Sequence, residues 1–155
     1  MKLKDIIIIL LIFALDRISK FYIIHLDNMI LNSEIFVSKF INIKLIWNDG
    51  IAFGLLAFDD NFFYNALTVL IILISLVIIY FILNSKGLER YGFLMIFGGS
   101  IGNVYDRLIY SSVPDFIDLH FENFHWFIFN VADIFITCGV FILITFELIL
   151  KKNKQ

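Results

Sequence analysis

Apolar residues run almost unbroken through four stretches of this chain, 6–24, 62–83, 91–110 and about 126–150. The hydrocarbon core of a bilayer is about 30 Å thick, so roughly 20 such residues in a helix suffice to cross it. One proline and eight glycines in 155 residues leave little to interrupt such helices. The pattern predicts an all-α membrane protein with four transmembrane helices, forming a single domain over 1–155. Stretch 62–83 is the cleanest, with Asn65, Thr68 and Ser75 as its polar interruptions. In the connection 25–61 the period changes. Ile41-Asn42-Ile43-Lys44-Leu45 alternates apolar and polar, the alternation breaks at Ile46, and Phe36 and Val37 are good strand formers. A small β-containing outer region is expected there, a strand pair or ribbon beside a site. The second outer loop is 111–125.

Composition agrees with a bilayer as the solvent. Hydrophobic residues make up 61% of the chain and charged residues 17%, and mean hydropathy is +0.92. That leaves too little polar surface for a water-soluble body of this size. A net charge of −2 argues against nucleic acid as a partner, and the single Cys138 excludes a disulfide scaffold or a cysteine-based metal cluster. Lys2, Lys4, Lys86, Arg90, Lys151, Lys152 and Lys154 gather in the tails and the turn 84–90, while the outer connections hold Lys39 and Lys44. The positive-inside rule then places both termini in the cytoplasm. The first stretch lacks a small-x-small cleavage site and ends in Asp16-Arg17-Ile18-Ser19-Lys20, so it is read as a retained helix.

Charge inside the spans is what asks for an explanation. Asp16, Arg17, Lys20, Asp106, Arg107 and Asp133 would together cost roughly 15–20 kcal/mol if central and unpaired, more than a domain's net stability. They must pair, face the bundle interior or reach water. At 1.5 Å per residue all of them fall at or above the midplane on the outer side. Asp16 and Lys20 stand four residues apart, as do Asn103 and Arg107, so each pair shares a helix face. Gly99, Asn103 and Asp106 or Arg107 make one stripe, Asn130 shares a face with Asp133, and Gly98 and Gly102 allow close helix approach. Such a set is open to three readings: a structural polar plug, an ion-coupled transport path, or a catalytic site.

Few catalytic groups are on offer. His25, His120 and His125 all lie in outer segments, and a metal site on His120, His125 and Glu122 is the weaker reading, so no metal or cofactor is expected. Cys138 is expected in the core, and Gly98-Gly99-Ser100-Ile101-Gly102 lies inside a helix rather than in a phosphate loop. The carboxylates Asp115, just after Pro114, and Asp133, about two turns into the fourth span, remain. If they meet, they share a proton and can divide base and acid roles in peptide hydrolysis.

Five blocks in order carry a resemblance across nearly the whole chain. They are Asp16-Arg17-Ile18-Ser19-Lys20, Asn48-Asp49-Gly50-Ile51-Ala52-Phe53-Gly54, the run from Gly98 through Asn103 to Asp106-Arg107, Val113-Pro114-Asp115-Phe116-Ile117, and Phe129-Asn130-Val131-Ala132-Asp133. The chain resembles the lipoprotein signal peptidases (signal peptidase II) of bacterial cytoplasmic membranes. The resemblance implies an aspartic endopeptidase that cleaves diacylglyceryl-modified prolipoproteins before the lipidated cysteine, with Asp115 and Asp133 catalytic. It implies supporting or substrate-contacting roles for Asp16, Lys20, Asn48, Gly99, Asn103, Arg107, Asn130 and Ala132. Expected partners are the prolipoprotein and membrane lipids, and a monomer is expected. One departure is Phe127, where the family usually has a proline after Trp126. A proline there would help to start the fourth helix.

Overall fold

The computed structural model describes residues 1–30, 35–50, 61–122 and 124–152. It is mostly helical with a small antiparallel sheet. In chain order the elements are α1 (Leu3–Ile30), β1 (Phe36–Val37), β2 (Ile41–Asn48), α2 (Asn61–Asn84), α3 (Gly87–Tyr110), β3 (Val113–Phe121), β4 (Phe124–Phe129) and α4 (Val131–Lys152). Among the described residues, two segments are apolar and long enough throughout to cross a membrane by length and composition, Tyr64–Asn84 and Val131–Leu148. The helices α1 and α3, at 28 and 24 residues, have the length for it but carry charges.

α3 is the hub and touches each of the other three helices, α4 most extensively. Its glycines set the spacing. A Cβ on Gly99 would stand 2.5 Å from the Ala132 carbonyl oxygen, and one on Gly102 would stand 2.5 Å from an Asp16 carboxylate oxygen. No side chain fits at either place, so α1 and α4 come close enough for polar groups to bond across the helices. Below them Ile9, Ile78, Ile82 and Leu94 form the apolar core. At the other end of α1, the buried Asp5 accepts from Arg90 Nη2 at 2.6 Å and ties α1 to the start of α3. Most remaining apolar side chains of the helices point outward and stay exposed, Leu10, Leu73, Val77 and Phe141 among them. Cys138 is with them. It was expected in the core and is exposed on α4 instead, because a helix apolar all round gives no sign of which face is buried.

The sheet corrects the sequence reading in two places. β1 and β2 form the expected strand pair, with Phe36 opposite Ile43. However, the second connection is not a plain loop, and the sheet has four strands in the order β1-β2-β3-β4, all antiparallel. β3 folds back on β4 through a turn where Glu122 takes a left-handed φ of 53°. Residues 126–129 belong to β4, so the fourth helix begins at Val131 and not near Trp126. Asp133 therefore lies in the first turn of α4 rather than about two turns into a helix. Phe127 pairs with Leu119 across the hairpin. A proline at that place would not have opened a helix, because α4 starts four residues later.

Candidate functional site

Four charges meet between α1 and α3. Lys20 Nζ lies 3.0 Å from Asp16 Oδ1 and 2.6 Å from Asp106 Oδ2. Arg17 donates through Nη2 to Asp16 at 2.5 Å and to Asp106 at 2.7 Å, and its Nη1 also bonds Asp106. Asp16, Lys20 and Asp106 are almost fully buried. Two cations against two anions make the cluster neutral, which is how buried charge becomes tolerable. Asp16 does one thing more: its Oδ1 accepts the Ala132 N–H at 3.1 Å, fixing the first turn of α4 to α1.

From this cluster the bonds lead outward through two amides. Lys20 donates its third N–H to Asn103 Oδ1 at 2.8 Å. With its oxygen so engaged, Asn103 presents Nδ2 to Asp133 Oδ1 at 2.8 Å. Asn130 caps α4. Its Oδ1 accepts the Asp133 N–H at 3.2 Å while Asp133 Oδ2 accepts the Asn130 N–H at 3.1 Å, a reciprocal capping box. Its Nδ2 donates to Asp115 Oδ1 at 2.6 Å. Asn48, at the end of β2, donates Nδ2 to Asp115 Oδ2 at 2.8 Å, and its own Oδ1 accepts the Gly50 N–H. Each of the four carboxylate oxygens of Asp115 and Asp133 thus receives one N–H.

Asp115 and Asp133 line one cavity of about 190 Å³ together with Asn48, Asn103, Arg107 and Asn130. Ile71, Val113 and Ile136 complete its walls, and that volume with several polar groups converging on it leaves room for ordered water. Arg107 donates to the Gly50 carbonyl at 2.8 Å and to the Asn103 carbonyl at 3.3 Å. All ten residues singled out from the sequence fall within this one connected set, with Gly99 entering through its contact with Ala132. Positions 51–54 of the second sequence block lie outside the described residues. Arg17 and Asp106, to which the sequence assigns no supporting role, make up half of the neutral cluster. Against Asp133 a second, apolar groove of about 530 Å³ opens between α4 and the β3–β4 hairpin, lined by Phe127, Phe129, Ile136 and Phe141.

Two buried carboxylates on β3 show how surroundings separate identical groups. Burial, then the nearby Asp133 carboxylate, push the Asp115 carboxyl up to about 6, against the pull of the Asn48 and Asn130 amides. Burial acts on Asp118 in the same direction, but His125 and Lys44 bond to it and hold it below the usual carboxylate range. Lys44 Nζ is 3.1 Å and His125 Nδ1 2.9 Å from Asp118 Oδ2. His120 Nε2 sits 3.1 Å from Asn42 Oδ1. His120 and His125 are thus engaged with the sheet while His25 lies on α1, and no group of three or more metal-ligating side chains converges among the described residues.

The raised Asp115 has a consequence for stability. Its folded value lies above the ordinary 3.8, so between those two values the folded chain binds the extra proton. Stability therefore falls as pH rises from about 4 to about 6, by about 3 kcal/mol for a fully buried group. Asp115→Asn removes that term but leaves one N–H donor facing the amide NH₂, at about 1 kcal/mol. The variant is expected to be about 1–2 kcal/mol more stable than the parent at pH 7.5, with no advantage near pH 4. Thermal unfolding in detergent micelles at both pH values checks this.

Comparison with known proteins adds what geometry alone does not. The family model for signal peptidase (SPase) II matches residues 8–149. A lipoprotein signal peptidase of Pelagibacter ubique (strain HTCC1062) is 51% identical over 150 residues, covering 97% of this chain and 90% of its own length. One from Francisella tularensis subsp. novicida (strain U112) is 40% identical over 158 residues, covering 98% and 96%. A bacterial membrane enzyme solved by the in meso method at 2.3 Å superposes with a TM-score of 0.80 at 26% identity, covering 98% of this chain and 92% of that one.

Proposed function

The chain belongs to the signal peptidase II family, and we propose that it removes signal peptides from diacylglyceryl-modified prolipoproteins, cleaving before the lipidated cysteine. Asp115 and Asp133 are the catalytic pair of an aspartic endopeptidase. The observation that carries this reading is their placement across one polar cavity, each held by two N–H donors and close enough that one raises the other's affinity for a proton. Two carboxylates so placed ionise one at a time. The ionised one takes a proton from a water held in the cavity, the protonated one hydrogen-bonds the scissile carbonyl, and the water oxygen attacks the carbonyl carbon. The proton then passes to the leaving amine as the peptide bond breaks.

The setting fits a substrate half in lipid. The four helices span the membrane, α1 and α3 being able to do so because Asp16, Arg17, Lys20 and Asp106 form a neutral cluster between them. Both termini are cytoplasmic in a bacterial inner membrane, and the sheet and catalytic pair lie toward the outer leaflet. The chain works as a single-domain monomer over 1–155. The groove lined by Phe127 and Phe141 leads from Asp133 to the lipid-facing side of α4, and the acyl chains lie there. Asp16, Lys20, Gly99, Asn103, Asn130 and Ala132 hold the pair in place, while Asn48 and Arg107 meet the substrate from the outer side.

The purified full-length protein, in detergent and lipid, is expected to cleave a diacylglyceryl-modified precursor and leave the modified cysteine as the new N-terminus. Mass spectrometry of the product reads the cleaved bond. Equal cleavage of the unmodified precursor, or cleavage that a chelator abolishes, would count against the assignment.

A further inference from the structure

A groove of about 570 Å³ runs between α1 and α3. It shares no lining residue with the cavity that holds the two aspartates. Phe13, Arg17, Phe21 and Ile24 line it from α1, at a spacing that puts them on one helix face. Tyr105 and Tyr110 line it from α3. Between Phe13 and Ile24 the helix rises about 16 Å, which is about half the ~30 Å thickness of a bilayer's hydrocarbon core. The groove is therefore as long as one leaflet is deep.

Its walls are apolar except at a few hydrogen-bond donors. The Arg17 guanidinium carbon lies 5.6 Å from the centroid of the Phe13 ring and 4.9 Å from that of Tyr105. Nε and Nη2 of Arg17 bond Asp16, Asp106 and the Gly102 carbonyl, whereas Nη1 bonds Asp106 alone. A terminal guanidinium nitrogen carries two N–H groups, so one donor of Nη1 is left over. The hydroxyls of Tyr105 and Tyr110 also make no hydrogen bond among the described residues. Water would satisfy such groups on a soluble protein, but a hydrocarbon surface supplies none. What completes this groove is a molecule with an apolar chain at one end and acceptor oxygens at the other.

We propose that the groove binds a glycerophospholipid of the outer leaflet, one acyl chain lying along Phe13 to Ile24 and an ester or phosphate oxygen accepting from Arg17. The site rests on the reading of α1 and α3 as membrane-spanning helices. The cluster of Asp16, Arg17, Lys20 and Asp106 is already neutral, so hydrogen bonds and apolar cover hold the lipid, and net charge does not. Anionic and zwitterionic headgroups are therefore expected to bind alike. The diacylglyceryl group of a substrate offers similar chemistry, but it has to reach the aspartates, and this groove touches no residue of their cavity.

Ile18 lines the groove and is 67% exposed, so a larger side chain there fills the groove without entering the core. The full-length parent, extracted in detergent and washed free of loose lipid, is expected to carry one phospholipid per chain in native mass spectrometry. Ile18→Trp should retain about tenfold less, the worth of about two buried methylenes. Phe21→Ala, which removes a wall where Ile18→Trp fills the space, should also retain less. Added phosphatidylglycerol and phosphatidylcholine should raise the thermal midpoint of the parent alike, and that of Ile18→Trp less. A diether phosphatidylglycerol identifies the oxygen: an equal rise assigns the phosphate, and a smaller rise assigns an ester. A parent that carries detergent only, or equal lipid retention by the parent and both variants, overturns the site and leaves the spans standing. A chain that leaves the membrane fraction without detergent would overturn the spans and the site together.

Discussion

Asp133→Asn is expected to slow cleavage of a lipid-modified precursor by about 10²–10⁴-fold, the usual worth of a positioned acid or base. The fold should survive the change. An amide at position 133 can still accept the Asn130 N–H and cap α4, although its NH₂ then faces the Asn103 NH₂, a loss of about 1 kcal/mol. It cannot take a proton from water or lend one to a carbonyl. Asp115→Asn is expected to fail to the same degree, and it makes the cleaner test because that variant should be more stable than its parent at pH 7.5. A dead enzyme with a raised unfolding midpoint cannot owe its inactivity to misfolding. Initial rates on a single precursor, read together with thermal unfolding, decide the matter. Either variant cleaving within threefold of the parent rate would end the two-aspartate assignment.

Lys20→Met should damage the fold itself, by about 3–5 kcal/mol in unfolding experiments in micelles. Lys20 spends its three N–H bonds on Asp16, Asp106 and Asn103, and methionine offers none. Asp16 and Asp106 would then share Arg17 alone, leaving one uncompensated negative charge between α1 and α3. Neutrality, rather than the particular ammonium, is the main requirement. Adding Asp106→Asn to Lys20→Met is therefore expected to recover about half of the loss. Activity should not return in full with stability, because the Asn103 oxygen would lose its charged donor and keep only the longer bond from Asn130 Nδ2 at 3.2 Å, a weaker hold on the amide that faces Asp133. A double variant as unstable as Lys20→Met would show that charge balance is not what the cluster supplies.

The helices and the polar stripe were legible in the sequence because both follow helical spacing. Asp16 and Lys20, four apart, do bond each other. Asn103 and Arg107, also four apart, meet only through the Asn103 backbone carbonyl, since the Arg107 side chain is drawn away to Gly50. The hairpin of β3 and β4 escaped for a physical reason. Its first strand has no period of two to read, since Val113, Pro114, Asp115 and Phe116 are buried in a run, and beyond them the polar Asp118 and His120 are buried while Phe121 is exposed. Residues 124–129 are nearly all apolar, so they merged with the helix that follows. Those two features displaced the start of α4 and hid Asp133's place in its first turn. The ion pair of Asp5 and Arg90 was missed as well. Each lay at the margin of an apolar stretch, where a charge looks solvated until a second helix is packed against it.

The neutral cluster also bears on how the chain enters a membrane. On the proposed topology α1 emerges first, carrying Asp16, Arg17 and Lys20 with a surplus positive charge. The anion that cancels it, Asp106, follows Arg17 by 89 residues. At ordinary translation speeds that interval is about 4–18 s. During it α1 has no partner for its second cation, and full release into lipid would strand that charge. The first helix is thus expected to linger beside the insertion machinery until α3 arrives. The order of synthesis makes α3, the hub of the finished bundle, the element that lets α1 go.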